Sequence, residues 1–156
     1  MRPDCIPAGR VYFCEHRTPE LVWRPEWQDH PNGVVSVASI TLVAESARQR
    51  ADVLAALVGS DLEPLGSDGF AIHGSEFSIE VITPSRYAQQ FGPVASPPNN
   101  RESFFGALRL RTSDLKAVQQ IVDQLGLASP ARTSEQPASI ALRQPDFDTV
   151  LEFVAA

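Results

Sequence analysis

The chain has 156 residues, of which 43% are hydrophobic and 21% charged, a balance that fits one globular domain with a single core and excludes a disordered chain. Its formal charge is −6 and its Lys and Arg residues are scattered; it lacks the basic stripe on which phosphate-dominated nucleic-acid binding depends, and an anionic membrane surface is disfavoured for the same reason. No apolar run approaches the roughly 20 residues that span a bilayer, and Met1 to Arg10 holds no apolar signal core, so the expected compartment is the cytoplasm.

Residues 1–33 carry both tryptophans, both cysteines, two of the three histidines and five of the thirteen prolines. Val11-Tyr12-Phe13-Cys14 reads as a short strand. Thr18 followed by Pro19 opens a helical turn that Pro25 ends, and His30-Pro31-Asn32-Gly33 is a turn. The expectation is an ordered N-terminal extended arm, with Phe13, Trp23 and Trp27 pinning it to the domain or to a partner chain. Cys5 and Cys14 are expected as free thiols. Cys14 and His16 stand two residues apart, but no third ligand is evident except His30, which speaks against a metal site there.

Val34 to Ala44 is rich in β-branched residues and predicts a strand. Ser46, with Gln49 three residues on, predicts a capped helix whose apolar face is Ala47, Ala51, Leu54, Ala55 and Val58, stopped at Gly59. Short strands follow at 62–65, 69–73 and 76–83, the last two joined at Gly74-Ser75. Pro84 to Ser103, with four prolines and Asn99-Asn100, reads as a connector without a regular element. The order then repeats. Residues 104–111 predict a strand, Asp114 or Ser113 caps a helix with an apolar face from Leu115 to Leu125, and Gly126 stops it. Weak strand material runs to Arg132, and strands follow at 137–143 and 149–154 around a turn at 144–146. Gly59 and Gly126 stand 67 residues apart, and Phe77 and Phe147 stand 70 apart. So even an offset through strand, helix and hairpin reads as an internal duplication.

The module openings, such as Leu108-Arg109-Leu110-Arg111-Thr112-Ser113-Asp114-Leu115, and the closing strands Ile79-Glu80-Val81-Ile82 and Val150-Leu151-Glu152-Phe153-Val154, resemble the paired βαβββ modules of the vicinal oxygen chelate superfamily. The stretch from Phe13 to Trp23, running into His30-Pro31-Asn32-Gly33, resembles a segment of its glyoxalase-like branch. There it joins an N-terminal region to a C-terminal one, which implies that this chain corresponds to the C-terminal part of a longer protein. The implied fold is α+β: two βαβββ modules (about 34–84 and 104–156) forming a curved mixed sheet around a cleft, with the arm at 1–33.

In catalytic members of the superfamily each module gives one ligand from its first strand and a Glu from its last, and the four hold a divalent metal. The resemblance implies Glu80 and Glu152 as metal ligands, with Zn, Fe, Mn or Ni as the cofactor. The first-strand positions fall on Ser39 and Ala107, which cannot complete such a site. Arg109 and Arg111 alternate with apolar residues; facing the cleft, they would favour an anionic ligand such as a carboxylate, and otherwise they are solvated. His73 is a third candidate ligand-binding residue. Three functions follow. The chain binds a small organic molecule without a complete metal site of its own; it is a metal-dependent lyase, isomerase or dioxygenase whose ligands are completed by another chain or a missing N-terminal half; or it is a structural module. The expected partners are a small-molecule ligand and a second copy in a homodimer.

Overall fold

The computed structural model describes residues 14–127, 139–144 and 146–156. Within the arm it holds a single helical turn, α1 (Pro19–Val22), and a 3-10 turn at Pro25–Trp27. Thr18 is the N-cap of α1 but makes no side-chain capping bond. The expected strand at 11–14 and the thiol of Cys5 lie outside the described residues apart from Cys14, which is exposed and free. Trp23 and Trp27 do not bury themselves on the domain: they are 61% and 59% exposed, Trp23 edge-on to His16 and Trp27 under Arg24. The arm is fastened by backbone instead. Gly33 turns the chain with φ +65°, its carbonyl accepts from Ser113 N at 2.9 Å, and the Asn32 carbonyl accepts from Thr112 Oγ1 at 2.8 Å.

Among the described residues seven strands form one open mixed sheet in the order β2-β3-β4-β1-β5-β7-β6. These are β1 (Val34–Ala44), β2 (Leu62–Pro64), β3 (Gly69–His73), β4 (Ser78–Ile82), β5 (Ser103–Thr112), β6 (Ser139–Gln144) and β7 (Thr149–Ala155). Helix α2 (Ala47–Val58) follows β1 and α4 (Leu115–Gln124) follows β5. The residues expected to give module two its extra weak strand, 128–132, are outside the described set.

The register supports the duplication. β1 pairs with β4 in parallel with Thr41 opposite Glu80, and β5 pairs with β7 in parallel with Arg109 opposite Glu152. Matching the two glutamates makes Ser39 equivalent to Ala107 and Thr41 to Arg109. The central antiparallel pair β1–β5 sets Ser39 opposite Arg109, Ile40 opposite Leu108 and Thr41 opposite Ala107. A pseudo-two-fold axis through the Ile40–Leu108 pair produces that pattern.

Alternation assigns the two faces. On the convex face Leu42, Ile72 and Val81 pack with Ala47, Ala51, Leu54 and Ala55 of α2, and Ile140, Leu142 and Phe153 pack with Val118 and Val122 of α4. The capping residues behave differently in the two modules. Asp114 Oδ1 accepts from Lys116 N at 2.9 Å and Ala117 N at 3.1 Å, whereas Ser46 makes no side-chain capping bond, so the box expected with Gln49 does not form. Gly59 closes α2 in the left-handed region, its N–H on the Ala55 carbonyl at 2.8 Å. The β3–β4 turn is one residue pair longer than expected: Gly74 N donates to Phe77 O at 2.8 Å, and Glu76 and Phe77 sit in the turn rather than the strand.

The connector departs most from the sequence reading. Pro84–Phe91 is a helix, α3, with Thr83 as N-cap (Oγ1 accepting from Arg86 N at 3.3 Å) and Pro84 in its first turn, followed by a 3-10 turn at Gly92–Val94. Tyr87, Phe91 and Val94 pack on the concave face against Val43, Ile82, Phe104, Ala107 and Val150. Tyr87 Oη donates to the Gly106 carbonyl at 2.8 Å and accepts from Ser96 N at 3.1 Å. Gly106 stands where β5 bulges against β1, and a Cβ there would lie 2.7 Å from the Tyr87 ring. The connector therefore fills one end of the concave face and leaves the other open. Among the described residues no helix is long and apolar enough to cross a membrane.

Candidate functional site

The open end of the concave face is built from strand positions that alternate away from the helices. Its rows follow from the register: Ser78, Ser39, Arg109 and Glu152 lie side by side, and Arg111, Val154 and Ser139 form the next row out. Together with Ala38 and Ala155 these residues line a cleft of about 430 Å³. Both arginines therefore face the cleft, the alternative that alternation alone left open.

Arg109 joins the two glutamates. Its Nε donates to Glu152 Oε2 at 2.8 Å and its Nη1 to Glu80 Oε1 at 3.0 Å. The Glu152 side chain is 2% exposed, Glu80 14% and Arg109 25%, so the three charges interact with little solvent screening. Burial works to lower the pKa of Arg109, but the two carboxylates outweigh it and hold the guanidinium above its ordinary value. Arg109 is a fixed cation.

The residues here do not fit a divalent metal. A guanidinium already stands between the two carboxylates, Ser39 offers a hydroxyl and Ala107 a methyl at the first-strand positions, and no three or more His, Cys, Asp or Glu side chains converge among the described residues. The structure does bring Glu80 and Glu152 together, as the resemblance implied, but around an arginine of the chain itself.

Arg111 is placed differently. Its Nη1 donates to Val37 O at 3.2 Å, Glu76 O at 3.3 Å and Ser36 Oγ at 3.4 Å, all neutral acceptors. His73 lies on β3 with Nε2 2.6 Å from Glu63 Oε2, more than half exposed, and is not among the residues lining the cleft. Sequence reasoning missed Ser39 and Ser139 as polar cleft groups in their own right. Both hydroxyl oxygens are buried and make no hydrogen bond to a described residue, and the only signal for them was their place on the same face as the arginines. It also missed Tyr87, although Thr83-Pro84 followed by aromatics at i and i+4 is a helix-start pattern with an anchoring face.

No family model matches the sequence, and no curated protein does. Solved structures match the fold. The methylmalonyl-CoA epimerase from Mycobacterium tuberculosis superimposes with a TM-score of 0.56 at 15% identity, over 80% of this chain and 89% of that one. Its counterpart from Streptomyces coelicolor gives 0.51 at 15% identity, over 79% and 99%. Homoprotocatechuate 2,3-dioxygenase from Arthrobacter globiformis gives 0.54 at 12% identity over 80% of this chain but 37% of that one, so the chain spans little more than a third of the dioxygenase. At such identities the likeness speaks for architecture and not for activity. The α+β sheet with its two strand-helix-strand halves, the concave cleft and these superpositions together identify the chain as having the vicinal oxygen chelate fold.

Proposed function

We propose that the concave cleft binds a small organic molecule and that it does so without a complete metal site of its own. The observation that carries this reading is the ion-paired triad of Glu80, Arg109 and Glu152. A built-in guanidinium satisfies the carboxylates that a metal would need, while the cleft beside it stays open, with polar and apolar side chains in its lining. Metal analysis of the purified chain, with thermal melts in the presence and absence of a chelator and a screen of small organic compounds, tests it. The expected outcome is less than stoichiometric metal, a melt indifferent to the chelator, and stabilisation by organic compounds. Stoichiometric Zn, Fe, Mn or Ni that disappears in Glu80→Ala and Glu152→Ala overturns it.

That overturning result favours a second reading, a metal-dependent lyase, isomerase or dioxygenase whose remaining ligands come from another chain. The convergence of Glu80 and Glu152 on one point supports it. A homodimer is proposed as well, supported by the exposed apolar surface of Leu21, Trp23, Trp27 and Phe77. Native mass is expected at twice 17.0 kDa.

A further inference from the structure

The reading above leaves the chemistry of the guest open, and the side chains at the open end of the cleft narrow it. Arg109 is committed to Glu80 and Glu152. Arg111, one row further out on the same strand, donates only to neutral oxygens in its described hydrogen bonds. A guanidinium so placed keeps most of its capacity to attract an anion. The neighbouring donors point the same way. Ser39 is 2% exposed, and its Oγ has no hydrogen-bond partner among the described residues; the buried Ser139 Oγ has none either. Buried hydroxyls without partners are uncommon and call for a bonding partner such as a water or a ligand; of those among the described residues, Ser39 and Ser139 are the ones that line this cleft. Ser39 pairs with Arg109 and so sits beside the triad. Ser139 pairs with Val154, which in turn pairs with Arg111. All three groups line the same cleft.

We infer that this end of the cleft holds the carboxylate of a small organic monoanion, with Arg111 as the charge that receives it and Ser39 and Ser139 as hydroxyl donors to its oxygens. The inference rests on the cleft being a binding site at all. A carboxylate is chosen over a phosphate on charge: either can bond the fork of one guanidinium, but a dianion would bring twice the charge against the carboxylate of Glu152, which lines the same cleft. Ala38, Val154 and Ala155 leave apolar surface for a short hydrocarbon body.

The test is an NMR titration of the arginine Nε–Hε resonances of the full chain, in chloride buffer, with butyrate, benzoate, their neutral amides butyramide and benzamide, and inorganic phosphate. The expected result is a saturating shift at Arg111 with at least one acid, a smaller one at Arg109, and binding of the matching amide at least about tenfold weaker. Arg111→Gln should weaken acid binding by about tenfold or more and Arg111→Lys should recover part of it. Ser39→Ala should cost less than the arginine change. Equal affinity for acid and amide, acid binding undiminished in Arg111→Gln, or phosphate binding tighter than either acid each overturns the inference, and each leaves the cleft standing as a binding site. No response to either acid also overturns it; the compound screen described above then decides whether the cleft binds anything.

Discussion

Arg109→Gln would leave the Glu152 carboxylate, 2% exposed, without the guanidinium that faces it. Breaking a buried pair from one side costs about 3–5 kcal/mol, and the lower end applies because a quarter of Arg109 is solvated. Urea denaturation should show that loss, and Arg109→Gln combined with Glu152→Gln should recover part of it, because the buried charge that faced Arg109 is gone. A double variant no more stable than Arg109→Gln would mean that packing and not charge holds the site. Tyr87 gives a pH test. Burial is the largest influence on its hydroxyl and raises its pKa above 10.0. A raised folded-state pKa contributes stability that is fully present below the unfolded value and is lost as pH rises through the folded one. Stability should therefore fall on the alkaline side, above about pH 10. Tyr87→Phe should flatten that limb while costing about 1–3 kcal/mol at neutral pH, since Ser96 N–H and the Gly106 carbonyl lose their partner. At this scale the sequence singled out Glu80, Glu152, Ser39 and Ala107 only through the resemblance of its opening and closing strands. It could not say which face of β5 was concave, and so left Arg109 and Arg111 open, because alternation is blind to the direction in which a sheet curves.

Elements with strong periodicity were legible, and those defined by one contact were not. β1, α2, β5 and α4 follow from β-branched runs and helical apolar spacing to within a residue or two. Helix α3 did not, because Pro84, Pro93, Pro97 and Pro98 mark the stretch as broken and its eight residues are held by Tyr87 and Phe91 docking on a distant strand. That dependence is testable at Gly106. A methyl there would meet Tyr87 and Val43 at 2.7 Å, so Gly106→Ala should destabilise by about 1–3 kcal/mol through overpacking. Amide exchange should then quicken in 84–91 before it does in α2; equal protection in both would show that α3 is not seated by that contact. The arm is the reverse case. Its aromatics suggested burial, yet its fastening is the Asn32–Gly33 backbone, which composition does not reveal.

The two modules share one long central pairing, β1 with β5, and each packs its own helix on the same side of the sheet. A common sheet of this kind should unfold as a unit. Leu54→Ala in α2 and Val118→Ala in α4 are therefore each expected to lower the midpoint of a single transition, with Leu54→Ala costing about 2–5 kcal/mol; two resolved transitions would mean that the modules melt separately. The duplication was visible as an offset of 67 to 70 residues, and the strand register around Ile40 and Leu108 gives that offset its geometric meaning. The register also shows where the duplication is broken. Arg109 and Arg111 on β5 correspond to Thr41 and Val43 on β1, and Val43 lies under the α3 plug. A bowl with intact two-fold symmetry would offer a guest two equivalent poses, head-first or tail-first. Here one rim is hydrocarbon and shut, and the other is open and lined by charged and hydroxyl side chains, so the cavity has a front and a back. A molecule with a charged end and an oily end would have one way to lie in such a cavity, where the symmetric bowl would have offered it two.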